Sequence, residues 1–203
     1  MSGRLSYLVI ALAIAGLAGP VLAADVGKGS ILFEEWFDSS ITSLATLQSY
    51  QDYPDNPHKS YWATSWDRPD GSEDYWGCRS RGYLYPPQTG DYTFWVASDD
   101  NSIVWLSTDD TPANRVEICA VDGWMDYQNF TGTTGSPGTR FKSAAIPLTA
   151  GKRYYVETIM FDGTSGGTIS VAWGGPGIGT GPVVVAGKYL APWIRDPEPM
   201  LGA

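Results

Sequence analysis

The stretch at residues 90–102 constrains the fold more than any other part of this 203-residue chain. Aromatic and β-branched residues alternate along positions 92–97 (YTFWVA), a period of two that is typical of a β-strand. The strand then runs into Asp99 and Asp100. Because neighbouring side chains in an extended backbone point to opposite faces, these carboxylates share a target only if the chain kinks between them.

A kink that brings two like charges together is unfavourable, and a bound cation is the simplest stabiliser of it. Calcium fits best, because it accepts several oxygen ligands in flexible geometry. The alternative is a solvated turn that carries two acidic residues.

The rest of the chain predicts an all-β fold, an antiparallel β-sandwich with long loops. Gly (24) and Pro (14) are abundant, aromatic residues make up 13%, and few segments have a helical period. A short helix is predicted at residues 41–47, within an irregular segment at 39–74. Strands separated by turn residues are predicted at 31–37, 77–85, 92–97, 103–106, 115–121, 141–147, 154–161 and 168–173, with a final strand at 182–186 and with residues 189–193 closing the domain.

The N-terminus is predicted to be a secretory signal peptide. Arg4 precedes an apolar run at residues 7–17, and small residues lead up to Ala23. The alternative is an uncleaved membrane anchor. We therefore expect a secreted or cell-surface protein, with no membrane insertion after the signal is removed. The predicted divisions are a signal peptide at 1–23, a lead at 24–30, the sandwich at 31–194 and a Pro-rich tail or linker start at 195–203.

The net charge limits the classes of partner that the chain can bind, and the cysteine content bears on whether it contains a disulfide. The net charge of −9 argues against binding to nucleic acid and to anionic lipid. The two cysteines, Cys78 and Cys119, lie in predicted strands of an exported chain, which predicts a disulfide between them. The alternative is a pair of buried free thiols.

The sequence gives little support to autonomous catalysis, and we predict that the chain is not an enzyme. It has no G-x-S-x-G motif, and its one histidine, His58, lies in a loop rich in Pro and Asp. The adjacent Glu34 and Glu35 have no separated partner carboxylate in a definable cleft. We predict that they are a charge pair on an edge strand.

An ordered series of motifs resembles the PA-fourteen (protective-antigen-type) domain. It runs through GYLYPPQTGDYTF, ASDD and WLST at residues 82–94, 97–100 and 105–108. It continues with AGKRYYVE at 150–157 and SVAW at 170–173. The resemblance spans residues 31–193 and implies a β-sandwich of the kind found in yeast flocculins and adhesins and inserted in secreted glycosidases.

The resemblance also implies a site. In the lectin members, the aspartates that correspond to Asp99 and Asp100 are joined by a cis peptide and hold calcium, whose shell is completed by sugar hydroxyls. Further ligands come from a late loop that corresponds to residues 162–168. The lectin members carry an asparagine there; this chain carries none, and Asp162 is the strong oxygen donor of its loop.

The expected function is therefore a calcium-dependent, lectin-like module that binds a glycan or polysaccharide. Asp99, Asp100 and Asp162 are the predicted metal ligands, and Asn101 and Trp124 join them as predicted sugar contacts, with Trp124 stacking on a sugar ring. One alternative is a structural or adhesive sandwich that binds no sugar. Another is a non-catalytic appendage of a larger secreted enzyme, attached to other domains of a longer protein.

Overall fold

The computed structural model describes residues 29–69, 71 and 73–193. The predicted signal peptide, the first five residues of the lead and the tail lie outside these residues, so those divisions stay predictions. Within the described ranges, no helix is both long enough and apolar enough to cross a membrane.

The predicted antiparallel β-sandwich is confirmed. One sheet has the strand order β2-β1-β4-β9-β6-β7, with β12 also paired to β4, and the other has the order β11-β10-β5-β8, with β3 also paired to β10. The elements in chain order are β1 Ile31–Phe37, α1 Leu44–Ser49, β2 Lys59–Ala63, β3 Asp67–Arg68, β4 Trp76–Leu84, β5 Gly90–Asp99, β6 Ser102–Ser107, β7 Arg115–Val121, β8 Ile146–Leu148, β9 Tyr154–Asp162, β10 Thr168–Gly175, β11 Gly179–Val184 and β12 Leu190–Pro192.

Aromatic residues of both sheets fill the core. The ring of Trp173 stacks on Tyr92 at a centroid distance of 5.2 Å and contacts Phe94 and Tyr189. Tyr92 and Phe94, two of the alternating residues that predicted β5, therefore pack against Trp173 of the neighbouring strand β10. Burying side chains of this size accounts for much of the apolar stabilisation of a domain.

The segment 39–74 is more regular than predicted. Its helix begins at Leu44, after Ser43 and Thr46 form a reciprocal capping box. Leu47 then packs against Trp36 in a small second core. The same segment contributes β2 and β3, neither of which was predicted.

The prediction for Glu34 and Glu35 is wrong. Strand β1 pairs with both β2 and β4, so it is not at an edge. Both carboxylates are buried and paired with cations: Glu34 accepts hydrogen bonds from Arg79 and Arg81, and Glu35 from Arg68.

The predicted disulfide is also wrong. Cys78 and Cys119 are free, buried thiols on β4 and β7 of the same sheet. Strands β9 and β6 lie between them, so three strand spacings separate the two residues, about 14 Å. A disulfide needs Cα atoms within about 7 Å.

Candidate acidic metal site

Three predicted metal ligands meet at one end of the sandwich. Asp99 ends β5, Asp162 ends β9, and Asp100 follows directly on Asp99. One carboxylate oxygen from each residue lies within 4.8 Å of those of the other two. The peptide bond between Asp99 and Asp100 is cis, as the family resemblance implies. The sequence expectation that these loops converge therefore holds in the structure.

Backbone hydrogen bonds hold the two acidic loops together. The N–H of Gly163 donates to Oδ2 of Asp100 at 2.9 Å, and the N–H of Asp100 donates to the carbonyl of Phe161 at 3.2 Å. The carbonyl of Asn101 accepts from the N–H of Phe161 at 3.1 Å. The relative position of the carboxylates is thus fixed by main-chain contacts rather than by long, flexible side chains.

Asp162 is the unusual member of the group. Its side chain is fully buried, and neither carboxylate oxygen has a hydrogen-bond partner. The hydroxyl of Thr168, which pairs with Asp99 across the sheet, is likewise buried without one. An ionised carboxylate in such a position is costly unless a cation or hydrogen-bond donors compensate its charge.

The electrostatics agree with that geometry. Burial, together with the charges of Asp100, Asp99 and Asp74, raises the pKa of Asp162 to about 7, against a smaller lowering by the nearby Trp76 indole. Three acidic groups this close repel one another when all are ionised. A divalent cation at their centre would reverse the repulsion.

The donor set fits a hard cation. All three side chains offer oxygen, and the described cluster contains neither histidine nor cysteine. Calcium takes six to eight oxygen ligands, so three carboxylates leave positions for carbonyl, water or hydroxyl oxygens. Asp99 and Asp100 are half-buried, which puts the open positions on their side of the site.

The loop that carries Trp124 runs beside the same strand. The N–H of Met125 donates to the carbonyl of Ser98 at 2.7 Å, one residue before Asp99. The Trp124 side chain is 41% exposed, and its carbonyl accepts from the N–H of Ser136 at 2.9 Å. The predicted rim tryptophan therefore sits on a loop anchored next to the acidic pair.

Sequence reasoning missed a second exposed aromatic side chain near the site. Tyr75 has a left-handed backbone with a φ of 53°, and its side chain is 40% exposed. Its N–H donates to the carbonyl of Gly163 at 2.9 Å, and the neighbouring Asp74 accepts from the N–H of Ser165 at 3.1 Å. Because β4 and β9 are antiparallel, the start of β4 lies beside the end of β9. That pairing, which was not predicted, is the signal that locates Tyr75.

The two antiparallel sheets define a β-sandwich fold that carries an acidic cluster at one end. Comparison with known families matches residues 35–185 to the PA14 domain, the family that the sequence motifs resemble. The chain belongs to the PA14 domain family.

Similar proteins are of several kinds. The chain is 32% identical over 159 residues to N-acetyl-beta-glucosaminyl-glycoprotein 4-beta-N-acetylgalactosaminyltransferase 1 of Mus musculus, a match that covers 72% of this chain and 14% of that protein.

The PA14 sugar-binding domain from an RTX adhesin superposes with a TM-score of 0.59 at 12% identity, covering 81% of this chain and 99% of that one. The A domain of epithelial adhesin 6 from Candida glabrata, solved with Galβ1-3GlcNAc, gives 0.57 at 12% identity, with 82% and 88% covered. At these identities the structures establish the fold alone.

Proposed function

We propose that this chain is an exported, non-catalytic, calcium-dependent carbohydrate-binding module. Asp99, Asp100 and Asp162 would hold the calcium ion, and sugar hydroxyls would complete its shell. The buried Asp162 carboxylate, with both oxygens lacking partners beside two further aspartates, is the observation that carries the proposal. An oxygen-only, electron-rich site of this kind calls for a hard cation.

The three aspartates have different roles in this proposal. Asp162 has no exposed surface, so it would act on the sugar only through the metal. The half-buried Asp99 and Asp100 would contact both calcium and ligand, and Asn101, also half-buried, would be a neighbouring sugar contact. The main-chain contacts to Gly163 keep these groups in place before ligand binds, which reduces the entropy lost on binding.

Selectivity would come from the rim rather than from the metal. Trp124 offers a ring face for a pyranose, and Tyr75 offers a second one from the loop before β4. Both side chains are about two-fifths exposed, so each has ring surface available to a ligand. Two sugar-binding relatives, an adhesin domain and an epithelial adhesin solved with a disaccharide, support a glycan as the partner. Secretion or surface display would follow from the predicted signal peptide.

The test is a glycan array probed with the purified domain in calcium and again in excess chelator. We expect binding to a subset of glycans that disappears with the chelator and in Asp100→Asn. Trp124→Ala should change the pattern or strength of binding while the calcium response of the fold persists. No calcium-dependent glycan binding by the wild-type domain would contradict the proposal.

A second function is favoured by the complete burial of Asp162. A calcium ion that is bound this deeply would stiffen the loops after β5 and β9 without contacting a sugar. The domain would then be a structural or adhesive module, possessing a calcium response but no glycan ligand. The glycan array separates the two functions, because only the sugar-binding function predicts glycan signals that disappear in chelator.

A further inference from the structure

A row of paired residues with a tryptophan at each end crosses the outer face of the larger sheet, away from the acidic site. Trp62 on β2 pairs with Leu32 on β1, which pairs with Arg81 on β4. Arg81 pairs with Glu157 on β9, which pairs with Trp105 on β6. Directly opposed residues of antiparallel strands lie on one face of the sheet.

This face points away from the core. The chain neighbours of the row, Phe33, Val156 and Val104, are completely buried in the core between the sheets. Because side chains alternate along a strand, the members of the row project to the opposite side.

Two members of the row have rings that solvent reaches. Trp62 is 54% exposed on its edge strand, and Trp105 is half-buried.

A third ring lies midway between them. Trp193 follows β12 and stacks on the Arg81 guanidinium, with 3.9 Å from Cζ to the ring centroid. It is half-buried, so part of the ring surface remains accessible. The backbone of Arg81 is two strand spacings from Trp62 and two from Trp105, about 9.5 Å in each direction across the sheet.

The floor beneath the rings is rigid and nearly neutral. Arg81 donates two hydrogen bonds to Glu34, at 2.9 and 2.8 Å, and Arg79 donates a third at 2.8 Å. Glu157 accepts a hydrogen bond from the hydroxyl of Tyr155. Since two arginines and two glutamates balance in number here, the face has no strong preference for an anionic or a cationic partner.

We propose that this face, defined by Trp62, Trp193 and Trp105, binds a neutral, extended β-1,4-linked polysaccharide chain. A chain of this linkage returns to the same ring orientation at every second sugar, over a length close to two strand spacings. The three indoles then stack on alternate sugars of the chain, and Arg115, whose Cζ lies 5.7 Å from the centroid of the Trp105 ring, is a donor to sugar hydroxyls. The site is separate from the acidic loops and needs no metal.

The test is calorimetric titration of cellohexaose and chitohexaose into the domain, with excess chelator present throughout. We expect saturable binding of at least one of the two hexasaccharides. Cellobiose and maltohexaose should bind at least tenfold more weakly, the first because it spans one ring and the second because its α-linkages coil the chain. The chelator separates this site from the calcium-dependent function, so either proposal can fail without the other.

Variants assign the binding to the face. Trp62→Ala and Trp105→Ala should each weaken hexasaccharide binding by about tenfold, the effect of losing one ring contact. Tyr127→Ala is the control, an exposed aromatic residue on the loop between β7 and β8 that has no role in either proposed site, and it should bind like the wild type. Trp62 lies on an edge strand and is more than half exposed, so its replacement leaves the core unchanged.

Several results would overturn the proposal. The proposal fails if neither hexasaccharide binds, or if maltohexaose binds equally well. It also fails if both tryptophan variants bind like the wild type, or if Asp100→Asn loses binding. Sedimentation velocity supplies one more. A dimer that Trp62→Ala dissociates would make the face an interface between copies of this chain instead.

Discussion

The backbone N–H of Gly163 donates to Oδ2 of Asp100 over 2.9 Å, and this bond joins the loop after β9 to the loop after β5. The two residues are 63 positions apart in the chain. By donating to Oδ2, the Gly163 N–H orients the carboxylate of Asp100, as outer-shell partners orient the ligands of metal sites. It also leaves little room, because a Cβ at Gly163 would lie 3.3 Å from the same oxygen.

We therefore expect Gly163→Ala to weaken calcium binding by about tenfold, the usual effect of disturbing an outer-shell partner. The added methyl group displaces the Asp100 carboxylate by a few tenths of an ångström or more. Calcium titration measures the affinity, and thermal unfolding in chelator should show little loss of stability. An unchanged affinity would mean that this contact does not position the carboxylate.

Asp162→Asn should have opposite effects with and without calcium. In chelator, the variant should be more stable than the wild type by about 1–3 kcal/mol, because a buried charge without a partner is removed. In calcium, the wild type should gain stability by mass action, and the variant should gain much less. Thermal or urea unfolding under both conditions measures the four values. A variant that is less stable in chelator would show that the carboxylate has a structural partner.

The two cysteines should titrate as free thiols. Both side chains are buried, and burial raises the pKa of each well above its usual range, so the native protein should react slowly with alkylating reagents. After unfolding without reductant, two thiols per chain should react. Intact mass spectrometry counts the adducts. A chain that takes up none under these conditions would contain the disulfide that the strand order argues against.

The ion pair between Arg68 and Glu35 should contribute to stability far more than a surface pair. Nε of Arg68 donates to the fully buried Glu35 carboxylate at 3.0 Å, and the guanidinium lies 3.7 Å from the centroid of the Trp76 ring. Arg68→Ala should cost about 3–5 kcal/mol, because it leaves a buried charge with too few partners.

Arg153→Ala is the matched control for that prediction. Arg153 pairs with Asp110 at 2.8 Å, but both side chains are nearly half exposed. Its loss should cost about 1 kcal/mol or less. Urea unfolding compares the two variants, and equal losses would contradict the distinction between the buried pair and the exposed one.

Local sequence patterns predicted the strands and the acidic pair but not the order of the strands. The alternation at residues 92–97 and the adjacent Asp99 and Asp100 are local signals, and both lie where they were expected. The disulfide prediction was wrong because β6 and the later strand β9 insert between the two strands that carry Cys78 and Cys119. Strand order depends on contacts between distant residues, which periodicity does not encode.

The same reason explains why β2 and the role of Tyr75 were missed. Lys59–Ala63 forms an edge strand with mostly exposed or half-buried side chains, so it has no apolar run to mark it. Tyr75 gains its place beside the acidic loops only through the pairing of β4 with β9.

Calorimetric titration of calcium into the chelator-stripped domain tests the central claim most directly. We predict one calcium ion per chain for the wild type. In both Asp99→Asn and Asp100→Asn the calcium affinity should be at least tenfold lower, which corresponds to about 1.4 kcal/mol or more of binding free energy. Asp110→Asn, which alters an exposed aspartate outside the cluster, should bind calcium like the wild type. No heat of calcium binding in the wild type, or an equal affinity in all three variants, would contradict the assignment of the acidic loops as a calcium site.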